Sequence, residues 1–582
     1  YIHVIFKFNI QCHTFVLTDM YRNRQKKKQI VLSMINAHTL HVKTNKLPNN
    51  DLNVIKKAVH VNDRRKSFEM ARIDLGTLMT FENKYSIEPV PLHVLRILFQ
   101  KHKKHKGTFD PQKIPEPLWK TLFPYQKTGV QMIFENFGGR CLLADDMGLG
   151  KTYQGIAFLT YCMAELNNPR VLIICPSYLR YHWQHEIQTW LKTDSQLVKK
   201  GSEELYSNIC IVSYDMLNAL NVDTGVYNIV LCDESHYVKS RKTKRTKALT
   251  PLVKSAERVL LISGTPALNR PIELFSQLYM LRPSYIKNYT AYAARYCNGK
   301  ATPFGYDDRG SSNPRELNWI LNNAFMVRRL KRDVLTDLPP KTRHTIWLEV
   351  NSTELGEVRS GFKKWKSLNE TIYKLPVGSE QQRNQMFERK QTISALFNAT
   401  ATAKCATLVS WVSNALDEGR SFIFFAYHKC VLNAVEECVQ QKRISYMRID
   451  GSTPAKTRQK NVEEFQNDPN MKIAILSIMA AGTGVTLTKV TECVMGELFW
   501  VPGVMIQAED RIHRISQTGS CDIKYLLGTE TLDTYIFPTL CKKLQTLDAL
   551  MDKRTDRTFK GQTSTVYLEE DENLFDAIKK MY

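Results

Sequence analysis

Short β-rich apolar runs alternating with amphipathic stretches occur in two separate series, and this doubling restricts the fold more than any other feature of the chain. The first series is Val171 to Cys175, Ile209 to Ser213, Ile229 to Cys232 and Val259 to Ser263. The second is Phe422 to Ala426, Tyr446 to Ile449, Ile473 to Ser477 and Cys493 to Leu498. Each series reads as a parallel sheet wrapped by helices, so the expected class is α/β with two sheet-based lobes. The predicted order is a basic N-terminal region over 1–117, accessory or partly disordered, and a first lobe over 118–345. A helical linker over 346–405, a second lobe over 406–555 and a polar tail over 556–582 follow.

Between the apolar run Cys141 to Ala144 and the helix-compatible run Tyr153 to Tyr161 lies Asp145-Asp146-Met147-Gly148-Leu149-Gly150-Lys151-Thr152. A phosphate-cradling loop has this placement. Gly148 and Gly150 let the backbone wrap phosphates, Lys151 reaches the β/γ oxygens, and the Thr152 hydroxyl can hold Mg²⁺. Asp145 stands where the G-x-x-x-x-G-K-[ST] pattern has its first glycine, so this segment alone also reads as a Gly-rich turn before an ordinary helix. A second segment decides between the two. Ile229 to Cys232 ends in Asp233-Glu234-Ser235-His236, and two adjacent carboxylates at a buried strand's carboxyl end call for a cation. An Asp on Mg²⁺ beside a Glu that polarises the attacking water is what NTP hydrolysis requires.

The second sheet has no phosphate loop, but it is followed by Gln507-Ala508-Glu509-Asp510-Arg511-Ile512-His513-Arg514. Arg511 and Arg514 share a face if this segment is helical. An arginine offered across a cleft to a γ-phosphate is worth roughly 10³–10⁵ in rate, which makes hydrolysis conditional on closure of the lobes.

The 582 residues suffice for several cores, and 81 Lys plus Arg against 57 Asp plus Glu give a net charge of +24, which favours a polyanionic partner such as nucleic acid. Charge runs at Arg22 to Lys28 and Lys101 to Lys106 are candidate nuclear-import signals, phosphate-binding patches or solvated faces. The thirteen cysteines are scattered and include no C-x-x-C pair, as expected for buried thiols in a reducing compartment. The apolar start is broken by His3, Lys7, Asn9, Gln11 and His13, so neither a signal peptide nor a membrane span is expected; Met20 is a second candidate start.

These segments, in this order, resemble the superfamily-two helicase core of SWI/SNF-related ATPases. Phe123-Pro124-Tyr125-Gln126 is similar to the Q motif, and Cys175-Pro176-Ser177 to motif Ia. Ser263-Gly264-Thr265-Pro266 is similar to motif III, Phe424 to His428 to motif IV, Ala481-Gly482-Thr483-Gly484 to motif V and Gln507 to Gln517 to motif VI. Within that family the chain looks most like the HepA-related (HARP) DNA annealing helicases, over roughly 118 to 550. The subfamily character comes from Gly138-Gly139-Arg140, the Asp145-Asp146 pair, Tyr296-Cys297-Asn298, Arg328 to Leu335 before Leu338-Pro339-Pro340-Lys341, and Glu497 to Trp500. Ser516 replaces the glycine usual after the finger arginines. Accessory HARP repeats are not recognisable in 1–117. With no zinc-finger or nuclease module evident after the core, annealing helicases carrying such modules are expected to match less well.

The resemblance implies two RecA-like lobes and ATP with Mg²⁺. An ATP site of Gln126, Asp145, Asp146, Met147, Gly148, Leu149, Gly150, Lys151, Thr152 and Gln507 is implied, with Mg²⁺ on Thr152 and Asp233. Lys151, Asp233, Glu234, Arg511 and Arg514 carry the chemistry, and Ser263, Gly264 and Thr265 couple nucleotide state to lobe movement. Pro176, Ser177, Asp450, Ser452 and Thr486 face DNA. The implied activity is ATP-driven translocation on DNA that re-pairs strands at forks and junctions, by a nuclear monomer with a single-strand-binding protein as a further partner. A chromatin remodeller and a catalytically inactive DNA-binding scaffold are the alternatives. A P-loop kinase or GTPase fails on the second sheet and its arginines.

Overall fold

The computed structural model describes residues 109–551, apart from positions 221, 303, 304, 336, 484 and 485, together with five strands and a few further positions between 28 and 97. The Lys101 to Lys106 run, nearly all of the Arg22 to Lys28 run, Met20, Gly484 and the 556–582 tail lie outside the described residues. The chain divides into two units, the smaller drawing on 1–104 and 313–324.

In the smaller unit, β1 (Lys28–Asn36), β2 (Thr39–Thr44), β3 (His60–Asn62), β4 (Ser67–Met70) and β5 (Tyr85–Glu88) form one sheet in the order β3-β4-β2-β1-β5. All its pairings are antiparallel except β1 with β5. The region read from sequence as weakly periodic therefore contains a sheet. Residues 313–324 also group with it, although they fall inside the segment assigned to the first lobe.

The larger unit holds both expected parallel sheets. After helix α1 (Pro124–Glu135), the first is built from β6 (Arg140–Leu143), β7 (Val171–Cys175), β8 (Gln196–Leu197), β9 (Ile209–Ser213), β10 (Ile229–Cys232), β11 (Arg258–Ile262) and, beyond a small hairpin of β12 (Lys300–Thr302) and β13 (Gly305–Asp307), β14 (Met326–Val327). The order is β14-β6-β11-β10-β7-β9-β8, with every neighbour parallel. Its helices include α2 (Lys151–Glu165), α3 (Arg180–Leu191), α4 (Lys244–Ser255) and α5 (Leu274–Leu281). The central strands are apolar and buried on both faces, as a parallel sheet covered on both sides must be.

Register places the functional loops. Cys232 pairs with Ile174 on one side and Leu261 on the other, while Ile262 pairs with Leu143. The carboxyl ends of β6, β7, β10 and β11 thus lie level. The segments beginning at Ala144, Pro176, Asp233 and Ser263 leave the sheet side by side, where open α/β sheets bind ligands.

The second sheet comprises β15 (Lys341–Leu348), β16 (Phe422–Ala426), β17 (Tyr446–Ile449), β18 (Ile473–Ser477), β19 (Glu492–Met495) and β20 (Cys521–Gly528), in the order β15-β20-β19-β16-β18-β17 and all parallel. Its strands alternate between two cores: Ile423 and Phe425 enter one, Phe422 and Phe424 the other. β15 straddles the expected boundary at 345 yet belongs to this sheet, and the linker's second helix runs on into the lobe. α6 (Gly356–Lys374) and α7 (Glu380–Asp417) fill the middle, while α8 (Pro502–Glu509) and α9 (Asp533–Met551) complete the lobe.

Candidate active site

At the end of β6 the chain turns through Gly148 (φ +85°) and Gly150 (φ +68°), both left-handed, before α2 begins at Lys151. Glycine suits both positions because a side chain there is strained. A Cβ on Gly148 would lie 3.2 Å from Arg514 Cγ, and one on Gly150 would collide with the Gln126 amide. The Lys151 ammonium donates to the carbonyls of Asp145 (2.9 Å) and Asp146 (3.1 Å). Burial pulls its pKa below the usual lysine value, and Glu234, Asp145 and Asp233 pull the other way.

Three residues assigned to the nucleotide brace this loop with their side chains. Gln126 donates to the Leu149 carbonyl (3.0 Å) and accepts from the Phe123 amide (2.9 Å), so its carboxamide supports the loop backbone. Asp145 is fully buried. Its carboxylate accepts from the Arg329 amide and Nε, both at 2.9 Å, from Arg329 Nη2 and from Gln154 (2.9 Å). Asp146 accepts from Arg328 (3.2 Å) and from the Lys331 amide (3.1 Å). The Asp145 side chain is therefore engaged by Arg329 and Gln154 and anchors the loop. Arg328 and Arg329 were absent from the sequence-derived site; their one signal was an arginine pair in a long, non-generic stretch. Thr152 sits in the first turn of α2, and the stacked rings of Phe123 and Tyr125, 5.8 Å apart, lie beside the loop with Phe123 46% exposed.

Asp233 and Glu234 follow β10. Asp233 accepts from Trp183 Nε1 (2.9 Å) and from the Glu234 amide (2.8 Å); burial, and then the neighbouring Glu234 charge, raise its carboxyl to about 6. Glu234 adopts the left-handed region (φ +50°, ψ +51°), a conformation costing on the order of 1–3 kcal/mol that clusters at functional sites. Burial alone would raise its carboxyl, but His236, Lys151 and Arg511 outweigh burial and hold it below the usual value. Glu234 Oε2 lies 3.1 Å from His236 Nδ1 yet outside hydrogen-bond alignment, a buried oxygen with capacity to spare.

The three residues expected to couple movement each touch a different part of the site. Ser263 Oγ is 3.1 Å from His236 Nδ1. A Cβ on Gly264 would meet Met147 Cγ at 2.6 Å and Lys151 Nζ at 3.1 Å. Thr265 Oγ1 accepts from Gln507 Nε2 of the second lobe at 2.9 Å. Gln507, assigned to ATP, thus spends its amide on the lobe junction.

The arginines do not share a helical face. α8 stops at Glu509, and Arg511 to Arg514 occupy the turn after it. The carboxylates at the helix end are held from elsewhere. Arg343 forks onto Glu509 at 2.8 and 2.6 Å, Tyr525 donates to it at 2.6 Å, and Asp510 meets Lys341 (2.8 Å) and Lys331 (3.2 Å). Burial opposes ionisation of Glu509, but Arg343 and Lys341 overcome it and hold the carboxyl at about 2. The turn so anchored places Arg511, 1% exposed, in the field of Glu234 and Tyr178, while Arg514 packs on Gly148 and donates to Thr486. Ser516 extends the brace with Oγ 3.1 Å from Thr488 Oγ1.

The residues expected to face DNA differ in availability. Ser177 and Ser452 are exposed, whereas Pro176 is buried. Asp450 is largely buried, and its carboxylate accepts from the Ser452 hydroxyl (2.5 Å), the Ser452 amide (2.9 Å) and Arg448 (3.1 Å), with Ser452 and Arg448 holding it at about 2. Asp450 shapes its loop, and Thr486 is engaged by Arg514. Among the described residues no cluster of three or more His, Cys, Asp or Glu is arranged to hold a metal ion, and no helix is long and apolar enough to cross a membrane.

The SNF2-related domain model matches residues 125–399, and the helicase conserved C-terminal domain model matches 403–516. The SWI/SNF-related matrix-associated actin-dependent regulator of chromatin subfamily A-like protein 1 of Xenopus tropicalis is 37% identical over 476 residues, 79% of this chain and 49% of that protein. The DNA annealing helicase and endonuclease ZRANB3 of Homo sapiens is 38% identical over 464 residues, 76% of this chain and 42% of that protein. These identities do not separate the two relatives, contrary to the expectation that the module-bearing helicase would match less well. The chain spans about half the length of the curated relatives it matches. A solved Sulfolobus solfataricus SWI2/SNF2 ATPase core in complex with dsDNA is 23% identical, covering 77% of this chain and 96% of that one, with a TM-score of 0.37.

Proposed function

Since the chain belongs to the SNF2-related family, with a helicase conserved C-terminal domain behind its SNF2-related domain, we propose that it is an ATP-driven DNA translocase that re-pairs separated strands at forks and junctions. It would act as a nuclear monomer in replication-fork restart and DNA repair, alongside a single-strand-binding protein. The observation that carries the reading is convergence from two lobes. Lys151, Asp233 and Glu234 leave one sheet at the same level, Arg511 and Arg514 reach them from the other lobe, and Ser263 to Thr265 touch all three parts.

In this reading the backbone around Gly148 and Gly150 cradles the triphosphate, Lys151 leaves its carbonyl partners for the β/γ oxygens, and the stacked Phe123–Tyr125 surface lies beside the base. Thr152 and Asp233 would hold Mg²⁺, which neutralises phosphate charge; the raised Asp233 carboxyl beside Glu234 suits a site completed by a cation. Glu234, ionised by its cationic neighbours, orients the attacking water and accepts its proton. Arg511 and Arg514 stabilise the charge on the transferring phosphoryl group only when the lobes meet. ATP binding closes the cleft and hydrolysis releases it, so the exposed loops at Ser177 and Ser452 grip the DNA backbone alternately.

The test is re-annealing of labelled fork strands held apart by a single-strand-binding protein. ATP should accelerate it, and a non-hydrolysable analogue should not. Equal rates with and without hydrolysis would reduce the protein to a DNA-binding scaffold, and repositioning of nucleosomes without re-annealing would make it a remodeller.

A further inference from the structure

A cavity of about 680 Å³ opens on the first lobe between α4 and α5. Arg241, Lys242, Lys247, Lys254 and Lys287 line it, and no carboxylate does. The ion pairs in this part of the lobe, Lys239–Glu273 at 3.4 Å and Arg245–Asp215 at 3.7 Å, use other cations. Among the described residues the five thus have no carboxylate partner. None of the loop residues expected to face DNA lines the cavity.

Two of the cations are braced against its walls. Arg241 stacks 3.8 Å from the centroid of Tyr289, whose hydroxyl donates to Asp308 at 2.5 Å, and Lys254 Nζ sits 3.8 Å over Tyr279. Lys247 and Lys254 fall on one face of α4, seven residues and so about 10 Å apart. Like charges held together without counter-charges repel, and an anion that spans them relieves the repulsion. One strand of nucleic acid carries a phosphate about every 3.4 Å of axis, so roughly three phosphates span that face.

We propose that this cavity is a second nucleic-acid site that grips a phosphodiester backbone apart from the motif-bearing loops. Backbone contact is favoured over base stacking because the faces of Tyr279 and Tyr289 already carry Lys254 and Arg241. It is favoured over an acidic peptide because the spacing of about 10 Å between Lys247 and Lys254 matches the regular phosphate repeat of one strand. The site stands on charge and shape and does not depend on the ATP chemistry.

The test uses the full chain with K247Q/K254Q/K287Q, and a charge-matched control of exposed lysines, K199Q/K200Q/K472Q. Affinities for a duplex, a single strand and a three-armed fork are measured from about 50 to 200 mM salt. Losing three phosphate contacts should lower the slope of log affinity against log salt by about 2 to 3, and the control should lower it by less than about 1. The DNA on which the loss falls identifies the occupant as duplex, single strand or a further arm of a fork. Unchanged slopes on all three, an equal loss in the control, or a loss of polyglutamate binding with DNA binding intact would each overturn the proposal. Thermal melting checks that both variants fold. If the triple variant does not, R241Q/K242Q in the exposed loop carries the same readout.

Discussion

Glu234 combines a left-handed backbone, a buried carboxylate and the neighbouring Lys151 and Arg511 charges, and each bears on one substitution. Glu234→Gln keeps the size and the backbone but removes the group that accepts the proton. ATP should bind with affinity near the parent's while turnover falls about 10²–10⁴-fold, seen by comparing nucleotide titration with steady-state hydrolysis. Turnover within threefold of the parent would assign the base elsewhere. Arg329→Ala tests a different role. It leaves the fully buried Asp145 carboxylate without its guanidinium partner, a change that costs about 3–5 kcal/mol in comparable buried pairs, so denaturant unfolding should show a loss of that order. A loss under about 1 kcal/mol would mean that Asp145 is not the anchor of the phosphate loop.

At the scale of elements, the turn after α8 depends on protonation in a way that can be read from its partners. His513 Nε2 is 2.9 Å from the Pro339 carbonyl and Nδ1 is buried without an acceptor, so the neutral ring fits and burial beside Lys341 and Lys331 lowers its pKa to about 4. The unfolded ring binds its proton near 6.5. The stability that His513 contributes is therefore present above pH 6.5 and is lost as pH falls toward 4. Glu509, at about 2 when folded, loses its contribution at lower pH, between roughly 4.5 and 2. Melting followed against pH should show stability declining from about pH 6.5, and His513→Gln should flatten the limb between 6.5 and 4. An identical limb in the variant would refute the assignment.

The same turn shows why sequence reading stopped where it did. Local spacing put Arg511 and Arg514 on one face only if their segment were helical, but the helix stops at Glu509, and Arg343, Lys341 and Lys331, distant in sequence, hold the carboxylates at its end. β15 was missed because it is an edge strand. Only Arg343 along it is buried, so its residues lack the apolar run that marked the central strands. By contrast the glycines of the phosphate loop, the Asp233–Glu234 step and the buried strands were legible, because each is set by local backbone geometry or by burial on both faces. The inward turn of Asp145 was not, because a residue's type does not say which way its carboxylate points.

At the scale of the whole molecule, Gln507 Nε2 of the second lobe donates to the coupling residue Thr265 of the first at 2.9 Å. Gln507→Ala and Thr265→Val should each lower DNA-stimulated hydrolysis several-fold with little effect on hydrolysis without DNA, and the double variant should lose no more than the worse single one. Additive losses would show that the contact does not transmit closure.

The central claim, a DNA-driven motor whose ATP site is completed from two lobes, is tested most directly by steady-state ATP hydrolysis with no nucleic acid, a single strand, a duplex and a forked junction at one fixed salt concentration. The expected result is low turnover alone and the greatest stimulation by the fork, with Arg511→Ala cutting the stimulated rate by roughly 10³-fold or more. Equal turnover with and without every DNA, unaffected by Arg511→Ala, would contradict it.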